Sequence, residues 1–272
     1  MTPPPLTLLY VPGDRPDRVE KAFASAAHAV IVDLEDAVAP ARKAVARANL
    51  AALFERRREK PAFVRVNAGD EADLEAVAGL ALAGVYIPKV ADPDAVPVFP
   101  LPIHCLIESA AGVEAAYEIA RAPGVTGISL GESDLRAETG AGEAGLDWAR
   151  GRIVNAAVAA GLSRPPQSVY PHIRDIEGLT ASCVRGRELG HLGRAAIHPD
   201  QLPVIERAYL PTEEAAARAR ELLARGEGAG ALADGSFVDA AILRQARQLV
   251  GLADRLAGRR QARAAGDEID VR

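Results

Sequence analysis

Two short apolar segments near the middle of the chain each lead into acidic residues, and this pattern constrains the fold most. His104–Ile107 leads directly to Glu108, and Val125–Leu130 leads through one glycine to Glu132 and Asp134. Their brevity and their flanking Pro and Gly residues predict two buried strands with a helical segment between them. Glu108 and Asp134 are about 26 residues apart, close to one strand-plus-helix unit of a parallel (β/α)8 barrel.

In such a barrel, the residues that follow the strands gather at one end, where these folds place their active sites. Glu108 and Asp134 would then converge, and oxygen ligands of this kind suit a hard cation such as Mg²⁺. A second interpretation stays open here, in which each acid only caps the helix that follows it. The Gly- and Glu-rich stretch Arg136–Leu146 predicts a mobile loop over the same end of the barrel.

Six further strand segments alternate with helical segments, which gives eight strands and predicts a parallel sheet with crossover connections. They are Leu6–Val11, Ala29–Val32, Phe63–Asn67, Gly84–Ile87, Ser168–Tyr170 and Arg194–Ile197. We therefore predict a (β/α)8 TIM barrel over residues 1–211, a size that suits this fold. Residues 212–272 are predicted to form a C-terminal helical appendage with a Gly/Ala-rich hinge at Gly226–Gly235.

Charged residues also follow the second and third predicted strands. Asp33, Glu35 and Asp36 lie within four consecutive positions, a density of negative charge that a cation or solvent must relieve. Arg65 interrupts the apolar third strand, and a buried guanidinium requires an anionic partner. That partner is either one of these acids, in a structural ion pair, or the carboxylate of a substrate, which arginine binds at two points. We favour the substrate carboxylate.

Basic residues follow the first predicted strand. Arg15 and Lys21 lie just after this strand or on the first turns of the next helix. Their positions fit a solvated helix face and a site for an anion equally well. The net charge of −5 and the isoelectric point near 5.6 argue against general nucleic-acid binding.

The composition also bears on location. Cys105 and Cys183 have no metal-ligand spacing and are expected to be buried thiols and not a disulfide. The N-terminal segment lacks the charged and apolar regions of a signal peptide, and no window approaches the length of a membrane helix. We expect a cytoplasmic protein that is not associated with a membrane.

Seven motifs occur in the order and spacing of a known family. They are PGDRP, VIVDLEDAV, VRVN, YIPKV, LIESAAGV, GISLGESDL and AIHPDQ. The chain thereby resembles the HpcH/HpaI aldolase and citrate lyase β-subunit superfamily, and within it the CitE-like and malyl-CoA/citramalyl-CoA lyase branch. The resemblance extends from about Leu6 to Pro211, and GSFVDAAIL gives a further short match near the C-terminus. Each motif alone is weak, but seven in series are specific.

The resemblance implies a role for individual residues of the barrel. Glu108 and Asp134 would bind Mg²⁺, and Arg65 would hold the carboxylate of an α-keto acid. Asp36 would lie beside the metal, supported by the other two acids of its motif. The sequence departs from the family at Glu132 and the serine after it, where relatives often have Ala-Glu before the metal-binding aspartate.

Three further positions are assigned by resemblance. Arg15 and Lys21 would contact the phosphates of coenzyme A. Asp239 matches an aspartate on a C-terminal segment that reaches over the neighbouring subunit in the lyases, where it or Asp36 would act as the base. Residues 212–272 would then form a lid over a neighbouring subunit, and the protein would be a homotrimer.

The implied activity is a reversible, Mg²⁺-dependent carbon–carbon cleavage of a 3-hydroxyacyl-CoA, such as citramalyl-CoA or malyl-CoA. The products are an acyl-CoA and an α-keto acid. Three alternatives stay open at this point. The chain could be a citrate lyase β subunit that requires an acyl-carrier partner, a keto-acid aldolase that does not use coenzyme A, or a non-catalytic keto-acid-binding protein.

Overall fold

The computed structural model describes residues 5–225, 230–231 and 237–269, and within them seven parallel strands form the main sheet. These strands are β1 Thr7–Pro12, β2 Ala29–Asp33, β3 Ala62–Arg65, β4 Gly84–Ile87, β5 Ile103–Ile107, β6 Val125–Leu130 and β7 Arg194–Ala196. Their order in the sheet is β6-β5-β4-β3-β2-β1-β7. The first six strands therefore each pair with their neighbour in sequence, which requires a crossover after every strand.

Nine helices provide or follow these crossovers in the described part of residues 5–209. They are α1 Pro16–Ala24, α2 Lys43–Leu53, α3 Glu71–Ala78, α4 Ala110–Glu114, α5 Ala116–Ala120, α6 Glu132–Thr139, α7 Asp147–Ala159, α8 Ile176–Glu188 and α9 Leu202–Tyr209. Three of these helices, α3, α4 and α8, begin with a side-chain N-cap. The side chains of Asp70, Ser109 and Asp175 each accept a hydrogen bond from a backbone N–H of the first helical turn. At its end, α6 stops at Gly140, which adopts the left-handed conformation.

The core lies on both faces of the sheet. All five residues of β2 are buried. This is expected for a strand of a curled parallel sheet, whose outer face is covered by helices and whose inner face packs against side chains of the other strands. Inside the curl of the sheet, Leu8, Ile31, Tyr86 and Leu106 form one apolar cluster. The two cysteines are buried thiols, as predicted.

The predicted seventh strand, Ser168–Tyr170, is wrong. Ser168–Tyr170 forms no strand, and the residue before it, Gln167, forms an isolated parallel bridge in which its backbone bonds to Gly193 and Ala195. Pro165 and Pro166 precede the bridge and have no N–H to donate, so a regular ladder cannot form on both sides. The sheet therefore has seven strands and not eight. Its two edge strands, β6 and β7, contribute residues to one cavity, so the sheet is curled.

The chain divides into two compact units, residues 4–209 and a second unit composed mainly of residues 210–272. The second unit contains α10 Glu213–Ala224, a two-stranded antiparallel hairpin and α11 Ala240–Ile269. The hairpin joins β8 Gly230–Ala231 to β9 Phe237–Val238. Arg220 of α10 pairs with Asp254 of α11 at 2.5 Å. Most of the predicted hinge, Gly226–Gly235, lies outside the described residues.

None of the described helices combines the length and the apolar character that crossing a bilayer requires.

The close approach of Gly193 to β1 gives a test of the sheet. Gly193 has φ +84°, and a Cβ there would lie 2.6 Å from the carbonyl oxygen and 2.7 Å from the Cα of Leu6. The backbone cannot easily move because Arg194 N–H donates to the same carbonyl at 2.8 Å. We expect Gly193→Ala to lower the free energy of unfolding by about 3 kcal/mol or more, measured by urea denaturation.

Gly140→Ala is the matched control. Gly140 has a similar φ of +70°, but nothing lies within 4 Å of its added Cβ. This variant should lose only the conformational cost of about 1 kcal/mol. Equal losses in the two variants would contradict the close strand contact.

Candidate active site

A cavity of about 350 Å³ opens at the carboxyl ends of the strands. Its charged lining residues follow or end four of these strands: Asp33, Asp36, Arg65, Glu108, Glu132 and Asp134. Its deeper lining is mainly apolar and aromatic: Leu8, Tyr10, Ile31, Tyr86 and Leu106. The structure thus combines an apolar floor with a charged rim, which is typical of a site for a small polar ligand.

Four of the residues to which the sequence assigned a catalytic, substrate-binding or metal-binding role meet in this cavity: Asp36, Arg65, Glu108 and Asp134. The interpretation of the two acids as helix caps is wrong. The residue that caps α4 is Ser109, not Glu108, and Gly131, which precedes α6, provides no side-chain cap. The two carboxylates therefore lie at the cavity for a reason other than helix capping.

The carboxyl group of Glu108 lies in a buried position where its ionisation is disfavoured. Its side chain is buried, and its Oε2 accepts the backbone N–H of Lys89 at 3.1 Å. Burial, followed by the charges of Glu35 and Asp134, raises the pKa of Glu108 to about 7. Gly131 makes room for the carboxyl group, since a Cβ there would lie 2.5 Å from Cγ of Glu108. Positive charge supplied to this position would favour the ionised form.

Arg65 forms a buried ion pair with Asp33, so our preference for an arginine paired only with substrate requires correction. Its Nε and Nη2 donate to the two carboxylate oxygens of Asp33 at 2.7 and 2.6 Å. Asp33 also accepts the backbone N–H groups of Glu35 and Ala37. The sequence pattern could not choose among the acids because strand periodicity does not show which side chains meet across the sheet.

The pairing with Asp33 uses one edge of the guanidinium and leaves Nη1 on the other. Nη1 lies 3.0 Å from Oε2 of Glu35 and 3.4 Å from Oδ2 of Asp36. Among the described residues no donor is aligned for a hydrogen bond to that buried oxygen of Glu35. The ring of Tyr10 lies under the guanidinium, with its centroid 5.0 Å from Cζ of Arg65. Arg65 therefore has a fixed orientation at the rim of the cavity.

A polar network behind the rim was missed in the sequence. Lys43 Nζ donates to the carbonyl oxygens of Leu34 and Glu35 at 2.9 and 3.1 Å, and it also contacts Oδ1 of Asn67. Asn67 donates to Leu34 and to the buried carboxylate of Asp73. These bonds fix the loop that carries the acids after β2. The asparagine of the VRVN motif was the signal that could have indicated this role.

Glu132, the departure from the family pattern, forms a buried ion pair with Arg150. Nε and Nη2 of Arg150 donate to the two oxygens of Glu132 at 3.0 and 2.5 Å. Arg150 also bonds to Glu143 and Asp147. The predicted loop at Arg136–Leu146 is partly regular structure, because α6 covers its first part and Glu143 forms ion pairs with Arg136 and Arg150. Its mobility stays a prediction.

The remaining predicted residues do not line the cavity. Arg15 is exposed just before α1 and pairs with Asp17 at 3.0 Å, and Lys21 is exposed on α1. Asp239 belongs to the second unit. There its Oδ1 accepts the N–H groups of Ala241 and Ile242 at the start of α11.

Glu108 and Asp134 provide two candidate metal ligands at the cavity. Across residues 5–225, 230–231 and 237–269, no three His, Cys, Asp or Glu side chains are grouped closely enough to hold a metal ion. A cation between Glu108 and Asp134 would complete its coordination with water and ligand oxygens, which is usual for Mg²⁺.

The comparisons with known proteins assign this chain to a family. The sequence profile of the HpcH/HpaI aldolase/citrate lyase family matches residues 6–99 and 97–199. The chain therefore belongs to that family, as the sequence motifs predicted.

Individual relatives differ in their activities. The chain is 37% identical to a (3S)-malyl-CoA thioesterase of Cereibacter sphaeroides, over 92% of this chain and 95% of the thioesterase. It is 34% identical to an L-malyl-CoA/beta-methylmalyl-CoA lyase of the same species, over 90% and 93% of the two chains. It also resembles the crystal structure of CitE from Mycobacterium tuberculosis in complex with magnesium, acetoacetate and coenzyme A. That match has a TM-score of 0.80 and 36% identity and covers 91% of this chain and 97% of CitE.

The pair of Asp33 and Arg65 predicts a large effect on stability. Asp33→Asn leaves a buried guanidinium without its main anion, and we expect the free energy of unfolding to fall by about 3 kcal/mol. Asp36→Asn is the control, because the Asp36 side chain is 66% exposed and its contact with Arg65 is 3.4 Å. Its effect should stay within about 0.5 kcal/mol. Urea denaturation measures both, and similar losses would contradict the assignment of Asp33 as the structural partner.

Proposed function

We propose that this protein is an Mg²⁺-dependent carbon–carbon lyase that cleaves a 3-hydroxyacyl-CoA, such as citramalyl-CoA or malyl-CoA, into an acyl-CoA and an α-keto acid. One observation carries the proposal. Arg65 is fixed by Asp33 along one edge, and its other edge borders the cavity that Glu108 and Asp134 line. This arrangement would place a site for an anionic ligand next to a site for a hard cation.

The residues present fit a magnesium ion. Glu108 and Asp134 would hold it, since both offer carboxylate oxygens at one cavity. The raised pKa of Glu108, caused by burial and by the charges of Glu35 and Asp134, indicates a need for positive charge at this position. When bound, the ion supplies a Lewis acid for the oxygens of the keto acid. The CitE structure that this chain resembles is a complex with magnesium and acetoacetate.

The protein's own groups would position the substrate and move one proton. The outer edge of Arg65 would bind the carboxylate of the keto-acid half and fix the bond to be cleaved in one orientation. Asp36, exposed at the cavity, or Asp239 of a neighbouring subunit would take the proton of the 3-hydroxyl group. The hydroxyl oxygen then becomes the keto oxygen, and the electrons of the broken bond form the thioester enolate, which gains a proton.

Other parts of the proposal concern coenzyme A and assembly. We assign Arg15 and Lys21 to the phosphates of coenzyme A, where exposed basic side chains can move to meet a flexible ligand. We further propose a cytoplasmic homotrimer in which residues 212–272 form a helical appendage that acts as a lid over a neighbouring subunit. Separately, we propose that the segment at Gln167, which bridges to Arg194 of β7, completes a closed (β/α)8 TIM barrel.

A second candidate is hydrolysis of the thioester. It is favoured by the similarity to the malyl-CoA thioesterase, which is 37% identical to this chain and matched over 95% of its length. The two reactions release different products. A lyase releases a keto acid and keeps the thioester intact, whereas a thioesterase releases free coenzyme A and no keto acid.

The deciding experiment incubates the purified protein with malyl-CoA, citramalyl-CoA, 3-hydroxy-3-methylglutaryl-CoA and citryl-CoA, each with Mg²⁺ and with EDTA. Keto acid is measured as its phenylhydrazone, and free thiol is measured with a disulfide reagent. We expect keto acid without thiol from one substrate, and no product with EDTA. Thiol without keto acid would establish the thioesterase. Silence with all four, together with binding of pyruvate, would leave a partner-dependent citrate lyase subunit or an aldolase that does not use coenzyme A.

Gly131 gives a structural test of the metal site. In Gly131→Ala the new Cβ displaces the carboxylate of Glu108, and we expect Mg²⁺ affinity to fall at least about tenfold, a loss of about 1.4 kcal/mol. Gly151→Ala is the control, because nothing lies within 4 Å of its added Cβ on α7. Isothermal titration calorimetry measures the Mg²⁺ affinity of both variants. An unchanged affinity in Gly131→Ala would contradict the assignment of Glu108 as a magnesium ligand.

A further inference from the structure

Lys89 has an unusual backbone conformation at the edge of the proposed site. Its φ is 58°, and among the described residues it is the one non-glycine residue with a positive φ. A side chain with a Cβ disfavours this left-handed region, and such strain persists only where the surrounding structure requires it. Lys89 follows β4 directly after Pro88, and the next residue is fixed because Val90 N–H donates to the carbonyl oxygen of Leu106 at 3.1 Å.

The strained residue contacts two carboxylates that follow different strands. Its backbone N–H donates to Oε2 of Glu108 at 3.1 Å. Its Nζ lies 3.3 Å from Oε1 of Glu35. Glu35 and Glu108 are both buried, and the charge of Glu35 raises the pKa of Glu108. A residue that contacts both therefore keeps two repelling groups at a set separation.

Lys89 also changes the balance of charge at the rim. Arg65 and Lys89 are basic side chains at the rim, opposed by six acidic ones: Asp33, Glu35, Asp36, Glu108, Glu132 and Asp134. Of these, Glu132 is paired with Arg150. The guanidinium of Arg65 forms its two shortest hydrogen bonds with Asp33. The Lys89 side chain is 51% exposed, and the charges of Glu35, Asp134 and Asp36 all act on its ammonium group, which places it at the acidic rim.

We propose that Lys89 is a positioning residue of this site, one whose backbone N–H orients Glu108 while its ammonium group orients Glu35 and sets the charge that incoming ligands meet. The inference rests on the proposed function, because it requires a cation and a keto acid to bind in this cavity. An ammonium group at the rim repels a divalent cation and attracts an anionic keto acid. Its removal should therefore change the two affinities in opposite directions, which loss of a merely structural contact would not do.

The experiment compares Lys89→Met and Lys89→Gly with the natural protein by isothermal titration calorimetry. Lys89→Met removes the charge and keeps the side-chain volume and the backbone N–H. Lys89→Gly removes the charge and also the conformational strain, so it protects the test against misfolding of the first variant. Mg²⁺ is titrated alone, and pyruvate is then titrated at saturating Mg²⁺. The control is Arg57→Gln, which removes an exposed positive charge from the connection between α2 and β3, at the opposite end of the strands.

We expect both Lys89 variants to bind Mg²⁺ about three- to tenfold more tightly and pyruvate weaker by a similar factor. The melting temperature of Lys89→Gly should not fall, because glycine adopts the left-handed conformation without strain. Arg57→Gln should change neither affinity.

Unchanged affinities in the Lys89 variants, or a parallel loss of both, would overturn this inference and leave the proposed function intact. A natural protein that binds neither Mg²⁺ nor pyruvate would overturn the proposed function, and this inference with it.

Discussion

The ion pair between Asp33 and Arg65 is the interaction on which the rest of the site depends. It joins the last residues of β2 and β3, and the side chain of Asp33 is only 1% exposed. Asp33 also accepts two backbone N–H groups from the loop that follows it, including that of Glu35. One carboxylate thus fixes both an arginine and an acidic loop. Removing a partner from such a buried pair leaves an uncompensated charge, which is far more costly than losing a surface contact.

The other acids at the rim are only partly balanced by the protein, since Arg65 and Lys89 pair with Glu35 while Glu108 accepts a backbone N–H. Glu108 has its pKa raised to about 7 by burial and by neighbouring acids, and one buried oxygen of Glu35 has no aligned donor among the described residues. We propose that a cation binds in this cavity and that the Nη1 edge of Arg65, which contacts Glu35 and Asp36, adds a place for an anion. Stability and function are therefore in partial conflict here, as is common where charged groups are preorganised for ligands.

Much of the fold could be predicted from sequence, because short apolar runs bounded by Gly or Pro define buried parallel strands. The segments Gly84–Ile87 and Val125–Leu130 match β4 and β6 residue for residue. Prediction failed at Ser168–Tyr170, where two preceding prolines prevent a regular ladder. For the site, acids after strands located the cavity, but not the partner of Arg65. The strain at Lys89 also escaped prediction, since only glycine signals a left-handed residue in a sequence.

We propose that Arg65 binds two anions at once. Asp33 would occupy one edge of its guanidinium and the carboxylate of a keto acid the other. A crystal structure of the protein soaked with Mg²⁺ and pyruvate tests it most directly. We predict density for a cation bound by Glu108 and Asp134, with the pyruvate carboxylate on Nη1 of Arg65 and Asp33 still bonded to Nε and Nη2. Pyruvate bound away from Arg65, or an Arg65 that has left Asp33 to reach it, would contradict the account.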